Sequence, residues 1–249
     1  MSGAPVYVGC AGWKVGREYW PLFTGQGSHL ELYARKLHAV ELNSTFYRAH
    51  RPATYKKWAS SVGADFRFSV KIPKSVTHEN RLENCTDQLD VFLSQCCELG
   101  DRLGCLLIQL PPSLVFNPRI AGRFFEALRV RYSGYVVIEP RHASWVDAQA
   151  LLVEHHIAQA AVDPLRLGND ATPGGWPGFH YWRFHGSPRI YYSEYEQDWL
   201  MAKARDMLQA NSDDSPIWCI FDNTARDAAL GNALFMQHLM NDLKRRERK

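Results

Sequence analysis

The chain has 249 residues, 46% of them hydrophobic and 22% charged, enough apolar material for a full core and too much for a disordered, collagenous or low-complexity chain. A formal net charge of +3 is too small an excess to imply a nucleic-acid coat. No apolar run approaches the roughly 18–20 residues of a membrane-spanning helix, and Met1–Pro5 lacks the basic and apolar regions of a secretory leader, so a soluble, cytoplasmic protein with no membrane partner is expected.

In chain order, short β-branched or aromatic runs alternate with longer helix-period segments. Strands are predicted at Val6–Cys10, Ala39–Asn43, Phe66–Lys71, Cys105–Leu110, Tyr135–Glu139, Ala158–Asp163, Tyr181–His185 and Ile217–Asp222. Helices are predicted near His29–His38, Ala53–Ser61, Thr86–Leu99, Pro118–Arg131, Ser144–His156, Tyr195–Ala210 and Thr224–Arg246. Pro118 suits a first helical turn, where its missing donor costs nothing. Ser144 is placed to cap the following helix through its hydroxyl. Phe124, Leu128 and Arg131 share one helix face at steps of four and three. The basic run Lys244–Lys249 reads as a solvated helix end, where cations suit the macrodipole. The six cysteines form no C-x-x-C and no zinc-like pairing with histidines, so reduced thiols are expected.

Eight strand–helix units in about 250 residues is the arithmetic of a (β/α)8 TIM-like barrel. An open doubly wound sheet also alternates, but no G-x-G-x-x-G or G-x-x-x-x-G-K-[ST] loop follows any strand. The runs LLIQL and YVVIE are apolar almost throughout, as strands covered on both faces require. Pro164–Phe179 is rich in glycine and proline and carries little helix signal; it is expected to replace most of the sixth helix and to lie over the barrel mouth. No linker divides the chain, so a single domain spanning 1–249 is expected.

Chemistry in such barrels sits at the C-terminal ends of the strands. Here those ends read Cys10-Ala11-Gly12-Trp13, Glu41-Leu42-Asn43, Lys71, Gln109, Glu139-Pro140-Arg141, Asp163, Arg183-Phe184-His185 and Asp222-Asn223. Every strand but the first finishes in an ionisable or amide side chain, always at the same end. Period two puts Glu41 beneath Asn43 and Arg183 beneath His185.

The stretches AGW, VELNSTFYR, FRFSVKIPKSVTH, LLIQLPPS, VIEPRHASW, the aspartate of VDP, YWRFHG, FDNT and GNAL follow one another over essentially the whole chain. In these the chain resembles the DUF72 (YecE-like) domain family. The resemblance implies a TIM-barrel fold and brings no assigned activity. The chain departs from the family pattern at Asp222-Asn223, where an asparagine pair is usual, and at CAGW, where a threonine–serine turn is commoner. An amide role at position 222 and a hydroxyl role at position 10 therefore do not carry over.

Each rim residue has a structural reading beside a functional one. Glu41 and Glu139 read as acid–base groups, or as carboxylates ion-paired to Arg183, Lys71 or Arg141, because buried carboxylates must be paired. Lys71 reads as an anion or Schiff-base lysine, or as a bridge between strand carboxylates. His185 reads as an acid–base group, or as a neutral imidazole hydrogen-bonded to a carboxylate; His142 and His78 lie further into loops. Trp13, Phe46, Tyr47, Trp145, Trp176 and Tyr181 supply aromatic surface near the mouth, among Arg48, Arg51, Lys74, Arg141, Arg183 and Arg189; ordinary loop packing is the alternative for each. The leading expectation is an enzyme for a small anionic substrate, phosphate-bearing or nucleotide-like. Glu139, His185, Lys71 and Glu41 are its candidate catalytic residues; Trp13, Asn43, Tyr47, Gln109, Arg141, Trp145, Asp163, Arg183, Asp222 and Asn223 its candidate substrate contacts. No cofactor is expected. A second expectation is a non-catalytic nucleic-acid or nucleotide binder using the same mouth. A third is a divalent-metal hydrolase or isomerase with Mg²⁺ or Mn²⁺ on Glu41, Glu139, Asp163, His185 and Asp222. If the rim is a site rather than a structural network, Glu139→Gln and Lys71→Met should each shift stability by less than about 1.5 kcal/mol.

Overall fold

The computed structural model describes residues 5–168, 170–210 and 215–247; Met1–Ala4 and the last two residues of the basic tail lie outside them. Its strands are β1 (Val6–Ala11), β2 (Ala39–Leu42), β3 (Arg67–Lys71), β4 (Leu103–Gln109), β5 (Tyr135–Glu139), β6 (Ile157–Gln159), β7 (Ala161–Asp163), β8 (Gly174–Gly175), β9 (His180–Phe184) and β10 (Ile217–Phe221). The helices are α1 (His29–Ala34), α2 (Ser44–Tyr47), α3 (Pro52–Ser60), α4 (Thr86–Cys96), α5 (Pro118–Arg131), α6 (Gln149–Glu154), α7 (Gln197–Gln209) and α8 (Ala228–Glu247). One sheet runs β7-β9-β10-β1-β2-β3-β4-β5-β6-β8. All its ladders are parallel except that of β8 with β6.

The predicted sixth strand is two pieces. β6 pairs with β5 and β7 with β9. Between them Ala160 donates its N–H to Ile138 O at 2.9 Å. One continuous stretch thus crosses from one edge of the sheet to the other and closes the TIM-like barrel. Along β6 the slot beside β9 is taken by β8, where Gly175 stands at φ +67 with Ile157 O only 2.5 Å from the position of a Cβ. At Gly9 a Cβ would stand 2.0 Å from Ala39 O. There β1 and β2 approach closely around the Tyr33 hydroxyl, which accepts from Cys10 N and donates to Ala39 O, both at 2.8 Å.

Alternation along each strand separates two cores. Val40, Phe68, Val70, Leu106, Ile108, Val136, Ile138 and Phe221 face the helices. Ala39, Cys105, Leu107, Val137, Ala158, Tyr181, Trp218 and Ile220 fill the barrel. Tyr181 and Trp218 stack at 5.9 Å as part of an aromatic floor, so the polar strand ends stand on a packed plug.

Local chemistry accounts for the helix ends. Asn117 caps α5 by accepting from Arg119 N and Ile120 N, with Pro118 in the first turn. Phe124 and Leu128 are buried as expected, together with Phe125. Ser144, by contrast, is no cap. His142 accepts from Ser144 N and opens a 3₁₀ segment, Ala143–Ala148, ahead of α6. The Ser144 hydroxyl instead accepts from Phe116 N at 2.7 Å, tying two rim loops together.

The Gly/Pro-rich stretch does replace the sixth helix, and its second half leaves the rim for the base of the barrel. Near the rim the Asp170 carboxylate accepts from Arg166 N and Leu167 N. The chain then descends through β8 to Trp176, whose ring lies against Tyr135 and His156 at the opposite end. Trp176 therefore belongs to the base of the barrel, and Tyr181 to its interior.

Candidate functional site

Arg183 on β9 points into the barrel and is fully buried. Nε donates to Glu41 at 2.9 Å, Nη2 to Glu41 at 2.7 Å, and Nη1 to Glu139 at 2.8 Å and Gln109 at 3.3 Å. Nη2 also lies 2.9 Å from Asp222 Oδ2. Those contacts occupy the guanidinium's five donors. Around this cation, period two brings together the ends of β2, β4, β5, β9 and the residue after β10.

Glu41 is saturated from below as well. Its second oxygen faces the Tyr181 hydroxyl at 2.8 Å, which also lies 2.9 Å from Ser69 Oγ. His185 stands above Arg183 with a carboxylate at each ring nitrogen: Asp222 3.1 Å from Nδ1 and Glu139 3.4 Å from Nε2. Burial opposes charge on the imidazole, yet Glu139 and Asp222 raise its pKa above the ordinary value. Burial likewise opposes charge on Glu139, but Arg183, His185 and Arg141 hold it well below the usual carboxylate range. Asp222 is lowered too, against burial, by Arg183 and by its hydrogen bond to His185. An asparagine at 222 could not supply that charge.

Lys71 differs from the rest. Its Nζ donates to Gln109 Oε1 at 2.8 Å and lies 4.1 Å from the centroid of the Phe46 ring. Burial, then repulsion from Arg183, bring its pKa down from 10.5 to about 8, against the pull of Glu41, Glu139 and Asp222. Arg141 donates through Nε to Glu139 at 2.8 Å, while its Nη2 is buried with no hydrogen-bond partner. Lys71 and Arg141 together depress the half-buried His78, after burial itself.

Exposure grades these residues by depth. Glu41, Glu139, Arg183 and His185 are sealed at 0%. Lys71 and Gln109 are each 7% exposed and Asp222 8%, and the Arg141 side chain is 13% exposed. Those four form the layer that a ligand in the mouth can touch.

Several expected contacts lie elsewhere. Trp145 is buried, donates its indole N–H to Leu114 O and packs on Phe116; it anchors a loop and cannot meet a substrate. Asn223 spends its amide N–H groups on Ser193 O and Asn232 Oδ1, fastening the last strand to α8. Asp163 accepts from the Tyr195 hydroxyl at 2.8 Å, and that hydroxyl accepts from Gly186 N, so it anchors the loop after β9. Trp13 packs edge-on against Trp58 and, with Asn43, lines a hollow beside Lys14 and His29; Asn43 Oδ1 is buried there without a partner. Tyr47, 73% exposed, faces a groove outside the barrel. The third expectation's metal ligands are also divided: Arg183 sits between Glu41, Glu139 and Asp222, and Asp163 faces Tyr195. Among the described residues no group of three or more His, Cys, Asp or Glu is arranged to hold a metal ion.

Sequence reasoning ranked His78 low and did not find Tyr191 or Tyr195. Thr77-His78 sits in a π-helical turn, Ser75–Glu79, a form that concentrates at functional sites but leaves no periodic mark in five residues. Tyr191 lies edge-on to His185 at 5.9 Å from the irregular loop after β9, where no periodicity exists to be read.

The family model for a protein of unknown function, DUF72, matches residues 7–249. The UPF0759 protein YecE of Escherichia coli K12 is 33% identical over 115 residues, 46% of this chain and 40% of that protein, so the match spans less than half the relative's length. A DUF72 family protein from Thermotoga maritima MSB8 is similar in structure at TM-score 0.76 and 25% identity, over 95% of this chain and 99% of that one. Another, from Enterococcus faecalis V583, is similar at TM-score 0.77 and 19% identity, over 96% and 98%. A GH18 chitinase from Pseudoalteromonas aurantia, at TM-score 0.53 and 6% identity over 96% and 99%, shares the barrel architecture alone. With its family model, its motifs and its barrel in agreement, the chain belongs to the DUF72 family.

Proposed function

We propose that this protein is an enzyme whose barrel mouth binds a small anionic substrate, phosphate-bearing or nucleotide-like. The observation that carries the proposal is a pair of cationic side chains at the mouth, Lys71 and Arg141, whose donors are not all met by carboxylates. Arg141 Nη2 is buried with no acceptor, and Lys71 Nζ meets a neutral amide rather than a carboxylate. A buried donor left unpaired costs free energy, and an anion seated between the two cations removes that cost with charge-assisted hydrogen bonds.

The deeper residues then have distinct tasks. Glu41 and Arg183 form the framework beneath the substrate. Glu139, too acidic to donate a proton, fixes the Arg141 guanidinium through Nε. Gln109 spends its oxygen on Lys71 and Arg183, which leaves its amide N–H groups for the ligand. His185 holds a proton between two carboxylates, of which Asp222 is the one nearer the mouth. Three fixed cations (Arg141, Arg183 and protonated Lys71) face three carboxylates, so protonated His185 makes the site net positive. Because Arg183 already occupies the inner faces of the carboxylates, this scheme uses no divalent ion.

Calorimetric titration of inorganic phosphate tests it. Wild-type protein should bind, and Arg141→Gln and Lys71→Met should each weaken binding at least about tenfold while far-UV dichroism stays unchanged, since a charged hydrogen bond contributes roughly 1.5–3 kcal/mol. Oligonucleotide binding that falls steeply with salt, with no affinity for the small anion, would favour the non-catalytic nucleic-acid reading instead.

A further inference from the structure

Beside the mouth, between α2, α3 and α4, lies a groove of about 400 Å³, within the range of roughly 300–1,000 Å³ usual for small-molecule sites. Phe46, Tyr47, Tyr55, Val91 and Phe92 give it aromatic and aliphatic walls. Tyr47 and Val91, 73% and 56% exposed, are large apolar side chains left open to solvent on the two sides of one cleft. On α4 the positions Gln88, Val91 and Gln95 follow steps of three and four, so they share the face turned to the groove. Gln88, one of its lining residues, has a buried Oε1 that accepts no hydrogen bond, an acceptor for which the chain supplies no donor. Arg48, Lys74 and Asp87 are the charged residues among its lining, and Lys74 is already paired with Glu79 at 3.0 Å.

The groove adjoins the rim site across one ring, Phe46. Phe46 lines the groove and also carries Lys71 Nζ over its face at 4.1 Å, with the His78 ring edge-on against it at 4.9 Å. Pro73, Lys74 and Ser75, which follow Lys71 directly, form part of the groove wall. An elongated ligand with its anion at Lys71 would therefore meet an apolar cleft one side chain away.

From this adjacency we infer that the groove is the ring subsite of the rim site. It takes a planar ring carrying an N–H donor, joined to the anionic group that Lys71 and Arg141 hold, as in a nucleoside monophosphate. The inference rests on the anion-binding reading above and adds the second half of the ligand. Aromatic walls stack a ring without reading its identity, whereas the orphan amide oxygen rewards a ring with a donor and penalises one without it.

Three probes, inorganic phosphate, adenosine 5′-monophosphate and adenosine, titrated by calorimetry at one pH and one ionic strength, test it. Adenosine monophosphate should bind at least about tenfold tighter than phosphate, the lower part of the range for stacking one base. Val91→Glu, a change at an exposed position, should remove that advantage and leave phosphate affinity unchanged. Gln88→Leu should reduce it severalfold. Equal affinity for adenosine monophosphate and phosphate, or an advantage that survives Val91→Glu, overturns the ring subsite while the anion site stands. No binding of phosphate to the wild type overturns the rim reading and the anionic half of this ligand together. In that case adenosine binding abolished by Val91→Glu identifies the rim, rather than the groove, as the failure.

Discussion

Glu139 and Lys71 look alike from the sequence, as single charges at strand ends, and the structure separates them. Glu139 is fully buried and faces Arg141, Arg183 and His185 at 2.8, 2.8 and 3.4 Å. Lys71 contacts an amide oxygen and an aromatic face. Removing one partner of a buried ion pair strands the others at a cost of about 3–5 kcal/mol. Glu139→Gln should therefore destabilise by about that much in urea unfolding, which puts Glu139 in the structural part of the rim, and a small shift, within about 1.5 kcal/mol, is expected for Lys71→Met alone. A Glu139→Gln protein as stable as wild type would mean that the carboxylate is not the keystone of the network. Strand period two made it legible that these residues share an interior rim. Which charge meets which was not legible, because the contacts join positions such as 41 and 183 whose distance depends on barrel closure and side-chain length.

At the scale of elements, the regular parts of the chain were legible and its irregular joints were not. Helix α5 announced itself through Pro118 and the Phe124–Leu128 spacing, and β4 and β5 through their continuous apolar runs. The split of the sixth strand left no such mark. Ala158–Asp163 is apolar enough to be one strand, and its change of partner at Ala160 is set by the return of β8 alongside it. Short α2 escaped for a related reason, since four residues are too few to show a helical period. The β8 joint makes its own prediction. Gly175 combines φ +67 with a neighbouring carbonyl 2.5 Å from its Cβ position, so Gly175→Ala should cost about 1–3 kcal/mol through backbone strain. An unchanged melting temperature would show that β8 adds nothing to closure.

For the whole molecule, eight strand–helix units, seven of their strands ending in a polar side chain, were enough to foresee a barrel with a charged mouth. The groove outside it was invisible, because Gln88, Val91 and Gln95 read as an ordinary solvated helix face until α2 is folded opposite them. The barrel shape also explains why the charges can be mixed so densely. A packed aromatic floor closes one end, so the network opens to solvent through the layer of Lys71, Gln109, Arg141 and Asp222. What that layer holds is the central claim, and the proton on Lys71 makes it measurable. Burial and Arg183 bring the Lys71 pKa down to about 8 against the pull of Glu41, Glu139 and Asp222, with the His78 ring close by, so Lys71 loses its charge between neutral and alkaline pH. Sulfate keeps a constant charge across that range, so its affinity reports the protein alone. Calorimetric titration of sulfate at pH 7 and pH 9 should show binding weakened about tenfold at the higher pH, the ratio of protonated fractions for a group titrating near 8, with Lys71→Met weak at both. Sulfate that binds equally well at the two pH values, or as well to Lys71→Met as to wild type, would contradict the assignment of the mouth as an anion site built on Lys71.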